Sequence, residues 1–199
     1  MTATLAAARL GRMDAPESDE ALMARYRDGD AAAFDVLYHR HRGGLYRFVL
    51  RQVSSKALAD ELYQDVWMKL VDARDRYAPT ARFSTWLYRM ARNRVIDHYR
   101  RSAVRVADDG RGHTDPDSVA GGQSAEPERM AEIDGAMASL ATSVAALPEP
   151  QRTAFLLREE GGLDLRDIAE VTGVTPETAK SRLRYALAKL RKALEAHHD

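Results

Sequence analysis

Six lysines and arginines against one glutamate fall within residues 175–194, a local charge of +5 on a chain whose 30 basic and 30 acidic side chains cancel. Cationic side chains at that density bind anions, and the ligand that rewards a row of them is a phosphate backbone. Thr178, Lys180, Ser181, Arg184, Arg191 and Lys192 lie off the line Ala179, Leu183, Leu187, Leu190 and Leu194. That line recurs at spacings of three and four, which marks one buried face of a four-turn helix. Lys180 and Arg184, near the helix start, are placed to reach base edges or phosphates; Arg191 and Lys192 reach phosphates only. A merely solvated face on an ordinary bundle is the competing reading.

A second basic stretch, 82–105, carries seven arginines and one aspartate. Trp86, Arg89, Asn93, Asp97 and Arg100 share one stripe, with Leu87, Ala91 and Val95 on the next. A ring, an amide and guanidiniums along one face suit single-stranded nucleic acid, where rings stack on bases, amides read edges and arginines hold phosphates. Trp86 taken alone is better read as core. A third group is acidic: Asp60, Glu61, Gln64 and Asp65, beside a Trp67 expected to be exposed. Carboxylates at 61 and 65 are one helical turn apart, as a metal site would require. No histidine stands three or four residues away to complete one, so a docking face for a basic protein fits better.

The elements that position these groups are all helices, with no sustained period-two alternation. Asp164 is the expected cap of LRDIAEV, with Ile168 and Val171 pointing inward and Ala169 small enough for a close helix crossing. Gly173 permits a left-handed turn, Val174 plugs the corner, and Thr175-Pro176-Glu177 opens the basic helix with a cap, a first-turn proline and a charge that complements the dipole. Small residue, glycine and plug at these offsets form a helix-turn-helix pattern. Further upstream, Asp19 is expected to cap a helix with Leu22, Met23 and Tyr26. A second helix carries Phe34, Leu37, Tyr38, His41, Leu45, Phe48 and Val49. A third runs over 57–72 on Leu62, Val66 and Leu70, and Pro79, in the loop after it, is expected to stop the helix. Ser84 or Thr85 is expected to cap the fourth. From 103 to 129 the composition turns to Gly, Pro, Asp and Ser, with a net charge of −4 over 106–129, and helical patterning resumes with Met137 and Leu140. The expected chain is all-α: a lead at 1–18, a helical domain at 19–105, a flexible acidic linker at 106–129 and a helix-turn-helix domain at 130–199.

Absences bound the rest. There is no cysteine, hence no disulfide and no thiolate metal site. No apolar run approaches bilayer length, and the start is too short for a secretory signal, which points to the cytoplasm and to no membrane insertion. Met1 and Met13 are both admissible starts. No nucleophile–base pair, phosphate-cradling glycine loop or metal signature is present, so neither enzyme activity, nor a cofactor, nor a metal is expected.

Two stretches carry a family resemblance. ADELYQDVWMKL followed by FSTWLYRMARNRVIDHYRR resembles region 2 of the extracytoplasmic-function sigma factors, within the sigma-70 family of bacterial transcription initiation factors. LPEPQRTAFLLREEGGLDLRDIAEVTGVTPETAKSRLRYALAKLR resembles their region 4. The resemblance implies a factor that binds core RNA polymerase and directs it to promoters. It puts Asp60, Glu61, Gln64 and Asp65 on the polymerase clamp helices, and Arg82 (ending the loop 75–82), Arg89, Asn93 and Asp97 on the −10 element, duplex and opened. Thr178, Lys180, Ser181, Arg182 and Arg184 fall on the −35 element, and region 4 also leans on the flap. An anti-sigma factor is a further partner that it admits. Three positions depart from the family pattern: Pro150 for a polar residue, Ala179 for a larger β-branched one, and Asp164 for a serine cap. A stand-alone helix-turn-helix regulator is the alternative, and it would need neither the acidic face nor the second basic helix.

Overall fold

The computed structural model describes residues 17–109 and 140–195. Most of the expected N-terminal lead, residues 110–129 of the expected linker, and Met137 lie outside the described residues. Among the described residues the regular structure is helical. Helix α1 (Asp19–Arg27) is followed by α2 (Ala31–Leu50), α3 (Lys56–Ala73), a single 3-10 turn (Arg74–Arg76) and α4 (Phe83–Asp109). A helical stretch at 140–145, α5, precedes α6 (Glu149–Glu159), α7 (Leu165–Thr172) and α8 (Pro176–Glu195).

Helix starts are set by local chemistry. Ser18, rather than Asp19, caps α1, its hydroxyl accepting from the Ala21 N–H at 3.2 Å. Asp19 is thereby free to pair with Arg40 at 2.7 Å and His41 at 2.6 Å. Asp30 caps α2 and Ser55 caps α3. At α4 the expected Ser84 or Thr85 cap gives way to a tertiary one: the Phe83 N–H donates to Glu20 of α1 at 2.8 Å. Thr85 spends its hydroxyl elsewhere, on Asp167 at 2.8 Å. Helix α4 also continues to Asp109, past the expected start of the linker.

Helices α1–α4 enclose one core of Leu22, Met23, Leu37, Leu45, Phe48, Leu62, Leu70, Leu87 and Tyr88, all essentially inaccessible. Trp67 belongs to it too, a correction to its expected exposure: it is only 7 % exposed, its ring edge-on to Tyr38 at 5.0 Å and to Phe34 at 5.8 Å. The 3.6-residue period carries position 67 to the flank of the 62-66-70 line, where α2 supplies aromatics to cover it. In the C-terminal half α6, α7 and α8 close around Leu156, Leu157, Leu163, Ile168, Val171 and Ala179.

Candidate nucleic-acid interface

The turn before α8 is built as its residues dictate. Asp164 accepts from the Arg166 and Asp167 N–H groups at 2.8 and 3.0 Å, and Asp167 accepts from the Asp164 N–H, completing a capping box. Gly173 turns the chain at φ 67°, in the left-handed region that favours glycine. Thr175 then accepts from the Thr178 N–H at 3.2 Å, and Pro176 starts α8. At 20 residues α8 spans about five and a half turns, longer than the expected four. Its buried line is Ala179, Ala186 and Leu190; Leu183 and Leu194 are half-buried, and Leu187 is 44 % exposed, against expectation. Ala186 lies seven residues from Ala179, two turns on the same face, whereas Leu187 falls at the edge of that line.

Thr178, Lys180 and Arg184 are exposed on α8, and Ser181 and Arg182 are half-buried. Arg184 lies over the exposed Tyr185 ring, 5.1 Å from its centroid. Lys180, Arg184 and Arg191 join Arg158 and Arg166 around a groove of about 850 Å³ whose floor includes Leu165, Leu183 and Leu187. The groove thus sets cations of α6, α7 and α8, with the one carboxylate of Asp164 among them, beside a strip of apolar surface.

On α4 the expected stripe faces outward in part. Asn93 and Arg100 are exposed, while Trp86, Arg89 and Asp97 are half-buried. Trp86 packs against Tyr77 at 5.1 Å and Phe83 at 6.1 Å, in line with its reading as core. Arg82 and Arg89 both address the other half of the chain. Arg82 lies 3.3 Å from Asp167 and 3.9 Å from Asp164, and Arg89 lies 3.2 Å from Glu170. Arg92 donates to the Val171 carbonyl at 3.4 Å, and its burial holds the guanidinium below the ordinary arginine pKa, against the opposing charge of Glu149.

Arg94 corrects the view of this helix as a uniform phosphate-binding row. It is 7 % exposed and turns toward α3, donating to Asp65 at 2.6 Å and to Glu61 at 3.3 Å. Asp60 in turn accepts from Tyr46 at 2.8 Å and Lys56 at 3.0 Å, which hold its carboxyl below the usual aspartate range. Glu61 and Gln64 remain exposed, and Asp60 and Asp65 half-exposed, so the structure brings all four together on one face of α3. Met68, 60 % exposed and one turn beyond Gln64, extends that face; its spacing from Glu61 and Gln64 was the available signal. Among the described residues no group of three His, Asp or Glu is placed to hold a metal ion, and no helix is long and apolar enough to cross a membrane.

The two halves meet at the end of α6. The Glu160 carboxylate accepts from Arg47 at 2.7 Å and from Arg51, and its backbone carbonyl accepts from the Tyr88 hydroxyl at 2.6 Å. Gln52 donates to Thr153 at 2.8 Å. Glu160 carries no local signal in the sequence beyond its place before the glycine pair 161–162.

With this geometry, comparison with known proteins is unambiguous about kinship. Residues 37–105 match the family model Sigma-70 region 2, and residues 137–190 match Sigma-70, region 4. The chain is 32 % identical over 192 residues to the RNA polymerase sigma-H factor of Pseudomonas aeruginosa, covering 90 % of this chain and 95 % of that protein. It is 32 % identical over 175 residues to the ECF RNA polymerase sigma factor RpoE of Cereibacter sphaeroides, covering 86 % and 92 %. In fold it is similar to the sigma factor RpoE of Bartonella quintana, solved in complex with the anti-sigma factor NepR. That match has a TM-score of 0.67 at 22 % identity, over 81 % of this chain and 96 % of that one. The chain belongs to the sigma-70 family of RNA polymerase sigma factors, in its extracytoplasmic-function group.

Proposed function

We propose a division of labour among three surfaces of this transcription initiation factor, which binds core RNA polymerase and directs it to promoters through the −10 and −35 elements. Thr178, Lys180, Ser181, Arg182 and Arg184 serve the −35 duplex, using base edges near the start of α8 and phosphates beyond. Arg82, Arg89, Asn93 and Asp97 hold the −10 element, with Asn93 reading an unstacked base and the arginines its backbone. Asp60, Glu61, Gln64 and Asp65 dock on the polymerase clamp, and region 4 on the flap. The domains follow: residues 19–105 for polymerase and −10, 106–129 as tether, 130–199 for −35.

The observation that carries this reading is the separation of charge on one scaffold. The carboxylates gather on α3, the exposed cations on α4 and α8, and Arg94 ties the acidic helix to the −10 helix in one rigid unit. A basic clamp surface and an anionic DNA strand can then be held side by side. The same reading gives the protein no reaction of its own and places it in the cytoplasm, with the polymerase it serves. One solved protein of this fold, the sigma factor RpoE of Bartonella quintana, is in complex with the anti-sigma factor NepR, and the apolar groove with cationic side chains along α8 supports such a partner here. A stand-alone regulator is not favoured, because region 2 and its acidic face would have no use.

Binding of the labelled protein to purified core polymerase tests it, with Glu61→Lys and Gln64→Ala/Met68→Ala as variants. Tight binding, weakened at least about tenfold by Glu61→Lys, is the expected result. Equal affinity in all forms would move the docking face off α3.

A further inference from the structure

We propose that Glu20 is a positioning residue for −10 recognition: its carboxylate fixes the start of α4, and through it the placement of Arg82, Arg89 and Asn93. The inference rests on the −10 reading given above. Glu20 lies on α1, ahead of residues 37–105 that match region 2, so the matched segment does not contain its own support.

The first N–H groups of a helix have no partner within it. At α4 the Phe83 N–H finds one 63 residues upstream, in the Glu20 Oε1 at 2.8 Å. The site is crowded and ordered. Phe83 is fully buried, with the His41 ring 5.1 Å from its own and Trp86 at 6.1 Å, and Tyr77 closes the far side of Trp86 at 5.1 Å. The neighbouring carboxylate, Asp19, is committed to Arg40 and His41, which leaves Glu20 to address α4. The N-terminus of α4 thus meets Glu20, itself in the first turn of α1, so both helices present their positive ends to one carboxylate. Tyr77 registers the same negative charge: burial, then Glu20 and Asp19, push its phenol up to about 12.

The geometry matters because α4 is a rigid rod anchored at this end. Arg82 immediately precedes the anchored N–H, Trp86 and Arg89 follow within two turns, and Asn93 comes one turn later. A tilt at Phe83 displaces all of them together relative to a bound strand. Losing the anchor therefore costs discrimination between −10 sequences, not only affinity.

The test uses the full-length protein with core polymerase and a promoter duplex that the wild-type holoenzyme recovers from a randomised DNA pool. Glu20→Ala, Glu20→Gln and Asn93→Ala are compared on that duplex and on a copy mutated in its −10 element. The readouts are the ratio of the two affinities, permanganate reactivity of the −10 thymines, and binding to core. Glu20→Ala is expected to lower the affinity ratio at least about fivefold with core binding unchanged, and Glu20→Gln, which keeps an acceptor, to restore most of it. A partly unfolded population lowers both affinities alike and leaves the ratio intact, so an unchanged ratio overturns the proposal whatever the yield. So does loss in Glu20→Gln equal to that in Glu20→Ala. Asn93→Ala separates the two layers: if it too leaves ratio and reactivity unchanged, the −10 reading itself fails.

Discussion

Arg47 of α2 donates to the carboxylate of Glu160 at 2.7 Å, across 113 residues of sequence, and the Glu160 side chain is only 6 % exposed where they meet. The relationship joins a region 2 helix to the C-terminal end of α6, the helix ahead of the helix-turn-helix pair α7 and α8. Arg51 shares the same carboxylate, and the Glu160 carbonyl takes the Tyr88 hydroxyl. The approach depends on a missing side chain: a β-carbon on Gly44 would collide with the Glu160 carbonyl and lie 2.9 Å from the Tyr88 hydroxyl.

Glu160→Ala is therefore expected to loosen the two halves by on the order of 1–2 kcal/mol, the scale of a charged hydrogen bond discounted for the exposure of Arg47. Gly44→Ala makes a sharper test, because alanine favours helix over glycine by about 1 kcal/mol and so strengthens α2 while pushing Glu160 away. Small-angle scattering should show a larger radius of gyration for both variants with unchanged helical circular dichroism. A radius equal to wild type in Gly44→Ala would mean that the backbone yields at little cost and the contact is not specific.

Arg82 and Arg89 meet carboxylates of region 4 in the free protein, so a DNA strand must compete for them. Glu170 is the cleaner of the partners to remove, since Asp167 also completes the α7 capping box. An exposed pair of this kind is worth about 0.2–1 kcal/mol, so Glu170→Gln should tighten binding of the free protein to a single-stranded −10 oligonucleotide by up to about fivefold. The gain should shrink with added salt as the pair is screened. Weaker binding in that variant would show Glu170 helping the DNA rather than competing with it.

What was legible in the sequence was what neighbours in the chain decide. Asp164, Gly173, Thr175 and Pro176 act within four residues of themselves, and the structure uses each as its chemistry suggests. Trp67 and Leu187 were misjudged because a hydrophobic period locates a face but not its width, which depends on what another helix brings to its edge. Arg94 was read with the arginines around it, yet it is the buried partner of Glu61 and Asp65, 33 and 29 residues earlier. Glu20 and Glu160 escaped for the same reason: a tertiary cap and an interdomain ion pair leave no local signature.

Asp19 offers a test by pH. The hydrogen bond from His41, and that from Arg40, hold its carboxyl below the usual aspartate value of 3.8 despite partial burial. A depressed folded-state pKa contributes stability that is complete above the unfolded value and is lost as pH falls through the folded one. Asp19→Asn should therefore lower stability at pH 7 by on the order of 1 kcal/mol, with the difference from wild type narrowing only as pH falls below about 3.8 and on through the lower folded-state value. Urea midpoints measured from pH 7 down to about pH 2 check this. A gap that does not narrow over the acid limb below about 3.8 would assign the loss to packing rather than to the ionised carboxylate.

Arg184 and Arg191 sit two turns apart on one helix, and physics gives them different tasks. Arg184 lies near the start of α8 and rests on the Tyr185 ring, so its guanidinium is held in place before DNA arrives. An arginine ordered in advance loses less freedom on binding, which suits it to a directional contact with a base edge. Arg191 borders the same groove further along the helix, where the proposed −35 reading gives it phosphates as partners. Holoenzyme affinities for duplexes substituted singly across the −35 element should show Arg184→Ala costing about 1–3 kcal/mol and relaxing preference at one position. Arg191→Ala should weaken every duplex alike and reduce the salt slope by about one. If Arg184→Ala instead acts uniformly, it is a phosphate contact, and the reading of sequence passes to Lys180 and Ser181, one turn nearer the glycine turn.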